Sequence, residues 1–454
     1  MFAADHVGNI FFPFQEDKCR DFVVKGLLSD DNDLDRAFRV VEAELGFLFD
    51  FFYARYPSIK DTLAPDLIVY AAILATSIFT LFCPDLVKYQ PPGGSAANIF
   101  IHSFNLDLLV TRLVIVWYIL LESYQFLSLF IFSDWHKVKM LCRYVQNESW
   151  HMALAEIPLK VLCYFTFSKY WKGSIGQYFI LDNAHPHPVK SFLSWISLKS
   201  LDSSLMTKSI SLPPEVRQAV LRRLKDVEGN ITDGRMWLYE LGFVDKEIHL
   251  DCMHGHTYAR YIMVWHVVTS ICSYGLPALP SKETASEELV KNYAVATKLS
   301  GYCAYLLAFK PDLVPDDTYR SLSMVRGTQH NARKHLAECK SNKDKYDKLF
   351  ELGKLNSTQH EVRFLSEGAR VAVYFIDRFP NVEEQWRVLA VFWANMMLWI
   401  APSDRAEAHA TRMATGGEFI TLIWALLTHA HVIGRLQPPG GAPGFLTTSE
   451  NQNG

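Results

Sequence analysis

The 454-residue chain is half hydrophobic, 13% aromatic and carries a formal net charge of −3, with a mean hydropathy of +0.04. So small a charge supplies no global field for nucleic acid. The hydropathy is high for a soluble enzyme and low for a polytopic transporter, so a few membrane segments joined to a larger water-facing part are expected.

In chain order, the N-terminal region 1–60 holds one amphipathic helix. Between residues 30 and 56 the apolar residues Leu34, Phe38, Val41, Leu45, Leu48 and Phe52 recur at helical spacing. Asp31 and Asp33 supply capping oxygens, and Pro57 stops the run. Glu42, Glu44 and Arg39 give the helix a wetter side.

A membrane region is expected over 61–180. The run "LIVYAAILATSIFTLFCP", residues 67–84, is free of charge and bracketed by Asp66 and Asp85. About 20 apolar residues span a bilayer's hydrocarbon, so it is read as a first span. "KYQPPGGSAANIF" then makes a loop. Residues 113–132 form a second span with a single charge, Glu122, closed by Arg112 at one end and by Asp134, Trp135, His136 and Lys137 at the other. A third run, 153–171, is interrupted by Glu156, Pro158 and Lys160. It suits an interfacial helix or a third crossing. Arg55 and Lys60 precede the pair, and Lys137, Lys139 and Arg143 follow it. The positive-inside rule therefore places the N- and C-terminal parts in the cytosol, with the organelle open.

Residues 181–213, rich in Pro, Ser and His, read as a linker. A helical domain over 214–435 opens with "PPEVRQAVLRRLKDVEG" and continues through apolar helical runs starting near Tyr261, Lys298, Glu383 and Gly416. Their uncharged cores are too short to span and suit central helices of a bundle. "KHLAECKSNKDKYDKLFELGKLNSTQHE" reads as a charged, exposed connection. The tail 436–454 is expected to be disordered. No repeat and no run of alternating strands stands out. The eight cysteines are scattered without a C-x-x-C pair, as expected of free thiols in a reducing compartment. The N-terminus has no basic start followed by an apolar core, so no cleavable signal is read.

Few residues point to chemistry. Glu122 is the sharpest candidate, because a carboxylate at mid-bilayer must pair, stay protonated or face protein. It could serve a transport pathway or a polar contact between helices. Arg112, ten residues away, lies about 15 Å along the helix and cannot pair with it directly. His249, Cys252, His254 and His256 in "HLDCMHGH" are zinc-type ligands, but their spacing matches no standard finger. His266 sits inside an apolar helix, where a hydrogen-bonded core residue is the ordinary explanation. In "HATRMATGGEFITLIW", two glycines and Glu418 suit a helix start. The catalytic alternative pairs Glu418 with His409 or His429 as acid and base. No phosphate loop, dinucleotide fingerprint, nucleophile elbow or H-E-x-x-H is present, which weighs against an enzyme. No cofactor is expected.

Several segments, in order, resemble a plant membrane family that pairs domain of unknown function 4220 with domain of unknown function 594. They are "LDRAFRVVEAELGFLFDFFYAR", "DLLVTRLVIVWYILLESYQFLSLFIFSDW", "YWKGSIGQYFIL", "IMVWHVVTSICSY", "LSGYCAYLLAFKPDLVPD", "QWRVLAVFWANMMLWIAP" and "HATRMATGGEFITLIWALLTH". Trp265-His266 and Gly416-Gly417-Glu418 are the more distinctive signatures. Similar proteins usually begin with further membrane helices, so the chain reads as shortened at the front. Where the family tends to carry acids, this chain has Ser270 and Asn395. The resemblance implies a plant membrane protein and no particular reaction.

The expectation is a mainly α-helical integral membrane protein, a hairpin of two or three spans followed by a helical cytosolic domain. Its partners would be the lipid bilayer and, through the membrane helices, a second copy or another protein, with no nucleic acid. A non-enzymatic scaffold is the leading function. The alternatives are ion or solute transport through Glu122 and a membrane-bound enzyme around His409 and Glu418.

Overall fold

A computed structural model describes residues 21–29, 35–53, 63–83, 100–101, 104–132, 171, 173–182, 208–226, 257–277, 285–355, 363–403, 405–413 and 416–430. Their contacts divide the chain into two compact units. One is formed by residues 1–42 and 171–454, the other by residues 43–170.

The first unit is the helical body. It opens with a π-helical turn, Phe22–Leu27, and the start of helix α1, Asp35–Tyr53, on which the periodic residues Phe38 and Val41 are buried. After the second unit the chain returns as strand β3, Ser174–Gln177, paired antiparallel with β4, Lys208–Ser211, in the register Ser174↔Ser211 to Gln177↔Lys208. Eight helices follow among the described residues: α4 Pro214–Asp226, α5 Tyr258–Tyr274, α6 Glu287–Phe309, α7 Thr318–Leu336, α8 Asn342–Lys354, α9 Arg363–Arg378, α10 Val382–Ile400 and α11 Ala406–Met413. Helix α12, Phe419–His429, closes the body.

The core sits where α6 packs on α10 and α5 packs on α9. Helices α5, α10 and α12 are buried nearly all round, as apolar runs without a wet stripe require. Trp265, Trp386, Trp393 and Tyr302 are among the largest fully buried side chains. Each indole must place its N–H or leave it orphaned. The Trp393 N–H donates to Thr269 Oγ1 at 2.9 Å, and that of Trp424 to the Ser403 carbonyl at 2.9 Å. Trp265 lies against Phe392, with centroids 4.3 Å apart. Helices α7 and α8 are amphipathic and bury one stripe each.

Strand β3 is threaded along α6. Ile175 and Ile180 are fully buried. The Gln177 amide donates to the Lys298 carbonyl at 3.0 Å, and the Tyr178 N–H to the Gly301 carbonyl at 3.1 Å. A side chain at Gly301 would strike Gln177 and Phe179, so glycine sets this close approach.

The second unit contains helix α2, Leu63–Phe82, the two-residue strands β1, Phe100–Ile101, and β2, Phe104–Asn105, paired antiparallel, and helix α3, Leu106–Phe132. Helices α2 and α3 pack on each other.

The expectation of membrane spans is corrected here. Among the described residues no helix is long and apolar enough to cross a membrane. Two features account for this. Asp66 lies inside the first turn of α2, so its charge-free part, Leu67 to Phe82, measures about 24 Å at 1.5 Å per residue, against a hydrocarbon core of about 30 Å. Helix α3 is longer, but Asp107 and Arg112 occupy its first two turns and Glu122 stands in the middle of the rest. Most of the third run, residues 153–170, lies outside the described residues, as do 183–207 of the expected linker and the tail beyond 430.

Candidate functional site

A buried polar cluster in the helical body surrounds Glu418. Gly416 and Gly417 adopt φ of +102° and +71°, a region that L side chains rarely enter. Their N–H groups return to the carbonyls of Met413 and Arg412. This turn delivers Glu418 to the N-cap position of α12, yet its side chain makes no capping hydrogen bond. It reaches across to α6 instead. Tyr302 donates to Oε2 at 3.2 Å and Tyr305 to Oε1 at 3.1 Å. The Tyr302 oxygen in turn accepts from the Ile420 N–H at 3.1 Å. Burial raises the Glu418 carboxyl above its usual range, against the opposing pulls of Lys310, the two phenols and Arg412. Both tyrosine hydroxyls are raised as well, by burial first and then by the neighbouring carboxylate.

His409 is buried on α11 and stacks on Trp424, with ring centroids 4.5 Å apart. Its Nδ1 lies 3.0 Å from Thr421 Oγ1, and Nε2 has no hydrogen-bond partner. Burial lowers its pKa to about 4, so the ring is neutral at pH 7. No hydrogen bond joins His409 to Glu418. The two side chains face different partners: Glu418 ties α12 to α6 through Tyr302 and Tyr305, and His409 ties α11 to α12 through Thr421.

His266 is fully buried on α5. Its Nε2 accepts from the Ile180 N–H at 3.2 Å, so the proton belongs on Nδ1, which lies 2.9 Å from Ser300 Oγ. Burial lowers its pKa to about 4. The histidine thus ties the β3 segment to α5 and α6. Next to it, Asp182 accepts from the Tyr274 hydroxyl at 2.5 Å and pairs with Lys345 at 2.9 Å.

In the second unit Glu122 is half-buried. Its contact is with Tyr118, one turn back, whose hydroxyl it raises through a hydrogen bond and its charge. Tyr70 donates to Ser123 at 3.1 Å between α2 and α3. Arg112 is exposed. His249, Cys252, His254 and His256 lie outside the described residues, among which no group of three or more metal-type ligands occurs.

The two positions where acids were expected are both occupied by hydrogen-bonding residues. Ser270 returns its hydroxyl to the His266 carbonyl at 2.8 Å. Asn395 Oδ1 accepts from Arg223 Nε at 2.5 Å, while its Nδ2 is left without a partner. The sequence reading did not single out Tyr302, Tyr305 or Arg223. The tyrosines were detectable in principle as an i, i+3 pair facing one side of "GYCAYLL", but nothing local says that Glu418, more than a hundred residues on, would meet them.

Against this geometry the sequence comparisons are specific. The family described as "Domain of unknown function (DUF4220)" matches residues 1–183. The family described as "Protein of unknown function, DUF594" matches residues 380–432. The chain pairs a DUF4220 domain with a DUF594 domain. No curated protein and no solved structure matches it. Glu122 belongs to the DUF4220 part, His409 and Glu418 to the DUF594 part, and His266 to neither. The DUF4220 part contributes to the same body as DUF594. Phe38 meets Phe419 edge-on at 5.5 Å, and Trp171 stacks on the same ring at 5.9 Å.

Proposed function

We propose that the protein is a non-enzymatic interaction protein that attaches to a lipid surface through α2 and α3, entering the apolar layer without crossing it. One observation carries this reading, the inverted polarity of the hairpin. Phe82 is 73% exposed, Phe79 70%, Ile68 68% and Trp117 64%. Val114, Leu113, Leu120 and Val69 are exposed beside them. Soluble monomers rarely leave so much contiguous apolar surface uncovered. Several polar side chains between Tyr70 and Ser123 turn to the seam or bond their own helix, while Arg112 stays exposed near the start of α3. Tyr70 bonds Ser123 in the seam, Thr76 donates to the carbonyls of Ala72 and Ile73, and Thr80 donates to that of Ser77.

Lipid suits this face better than a protein does. A protein interface carries roughly one hydrogen bond per 100–200 Å² within a polar rim. The described outer face of α2 offers threonine hydroxyls already committed to their own helix and no charge from Leu67 to Phe82. A helix satisfies its own backbone and can therefore be immersed in hydrocarbon. The charge-free length of α2 exceeds one leaflet and falls short of two.

The test is co-flotation of the full chain with phosphatidylcholine vesicles. The wild-type protein should float, and Phe79→Asp with Trp117→Asp should leave it in the dense fraction. Wild-type protein that stays dense with vesicles present would sink the reading. If a second copy covers the face, sedimentation should instead show an oligomer that the same substitutions disperse.

A further inference from the structure

A groove of about 630 Å³ runs along the outer face of α7, lined among the described residues by Tyr319, Leu322, Ser323, Arg326, Gly327, His330, Asn331 and Lys334. Among the described residues the lining contains two cations, a histidine and several hydroxyl or amide groups, and no carboxylate. The whole helix, "TYRSLSMVRGTQHNARKHL", contains no acid at all. Asp317, which precedes it, is occupied in capping the Arg320 N–H at 2.7 Å.

An ordinary solvated helix intersperses its charges as i, i+4 partners. The next helix does so, with Asp344, Asp347 and Glu351 among Lys343, Lys345, Lys348 and Lys354. Helix α7 departs from that pattern. Among the described residues no ion pair or side-chain hydrogen bond engages Arg326, His330 or Lys334, and all three are exposed. They succeed one another at one-turn steps, so the cations Arg326 and Lys334 stand about 12 Å apart along the helix, with His330 between them. Gly327 opens its middle, because a Cβ built there meets nothing within 4 Å.

We propose that this groove binds a ligand carrying two or more phosphate groups. A single phosphate would use one turn of the row, whereas two or more spread along it would use all of it. Arginine forks onto phosphate oxygens, lysine adds a point charge, and Ser323 and Tyr319 add hydroxyl donors. The phosphates could belong to a soluble metabolite or to a lipid headgroup. The inference is independent of the hairpin reading, since a soluble probe needs no lipid.

The experiment uses the full chain in detergent, titrated calorimetrically with inositol 1,4,5-trisphosphate, and in parallel sedimented with phosphatidylcholine vesicles with and without phosphatidylinositol 4,5-bisphosphate. Binding of the soluble probe, weakened as salt rises, is expected. The double variant Arg326→Ala with Lys334→Ala should weaken it at least tenfold. Gly327→Leu, which fills the groove without changing charge, should do the same and leave the melting temperature no lower. Arg320→Ala, on the same helix outside the groove, should bind as wild type. A bisphosphate-dependent gain on vesicles with no binding of the soluble probe, abolished by the same variants, assigns the phosphates to a lipid. The proposal is overturned if neither probe binds, if the groove variants bind like wild type, or if a poly-glutamate peptide competes as well as the trisphosphate does.

Discussion

The buried histidines show how little of a residue's role its type reveals. His266 and His409 both looked like candidate chemistry in the sequence, and both sit neutral with one nitrogen committed to a neighbouring hydroxyl. Burial lowers each pKa from 6.5 to about 4. Well above pH 6.5 both rings are neutral in the folded and in the unfolded chain. Between about 6.5 and about 4 the unfolded chain takes up protons that the folded chain refuses, so stability present at neutral pH is lost as pH falls through that window. Each histidine contributes on the order of 3 kcal/mol to the loss. Urea unfolding at pH 7 and pH 4.5 should show the drop. His409→Phe, which keeps a ring against Trp424, should remove about one proton from the slope, and an unchanged slope would refute the assignment. None of this was legible in the sequence beyond the single inference that a histidine in an apolar helix is hydrogen-bonded. Its partners, Ile180 and Ser300, come from segments the local pattern could not connect.

Among the elements, legibility followed apolar runs and proline-marked starts. The start of α4 at Pro214 and the apolar run of α5 from Tyr261 were visible in the sequence. Helix α6 was not. Glu287, Glu288 and Lys291 put charge into its first turns, so the apolar pattern suggested a start near Lys298, while Ser286 caps the helix twelve residues earlier and accepts from the Leu289 N–H at 3.1 Å. Helix α8 was hidden in a stretch that read as a charged connection, although Ser341 and Asp344 form a full capping box. Strand β3 escaped because a four-residue strand, paired with an equally short one some thirty residues on and packed on a distant helix, carries little local pattern. Glycines in these elements separate packing from propensity. A Cβ at Gly353 would stand 2.4 Å from the Ala369 carbonyl oxygen, because α8 and α9 approach there backbone to backbone. Gly353→Ala should therefore cost roughly 1–3 kcal/mol of overpacking. Gly327→Ala, in open space inside a helix, should gain up to about 1 kcal/mol. Denaturant midpoints of the two variants should move in opposite directions, and a matching shift would mean that the backbone approach at Gly353 is not tight.

At the scale of the whole molecule, the family match and the compact units cut the chain differently. The DUF4220 match runs continuously from 1 to 183, yet residues 21–29, the start of α1 and residues 171–182 join the body that contains DUF594. Val23, Leu27, Leu28, Phe38 and Val41 are all buried. Arg217 pairs with Asp35 at 3.2 Å, and Phe38 covers Phe419. Five buried apolar side chains at roughly 1.5–3 kcal/mol each amount to about 10 kcal/mol, comparable to the whole net stability of a typical domain. The fragment 171–454 should consequently fail to unfold cooperatively, despite containing every helix from α4 onward. Supplying residues 1–42 in trans should restore a cooperative transition, and Phe38→Asp in that segment should abolish the rescue. The same reasoning makes residues 43–170 an excursion from the body: replacing them with a long flexible linker should leave the body's melting transition in place. If 171–454 alone melts as sharply as the full chain, the N-terminal segment decorates the body and DUF594 folds without it. If the rescue succeeds, the pairing of the two domains has a physical cause, because neither end of the chain can bury its apolar face alone.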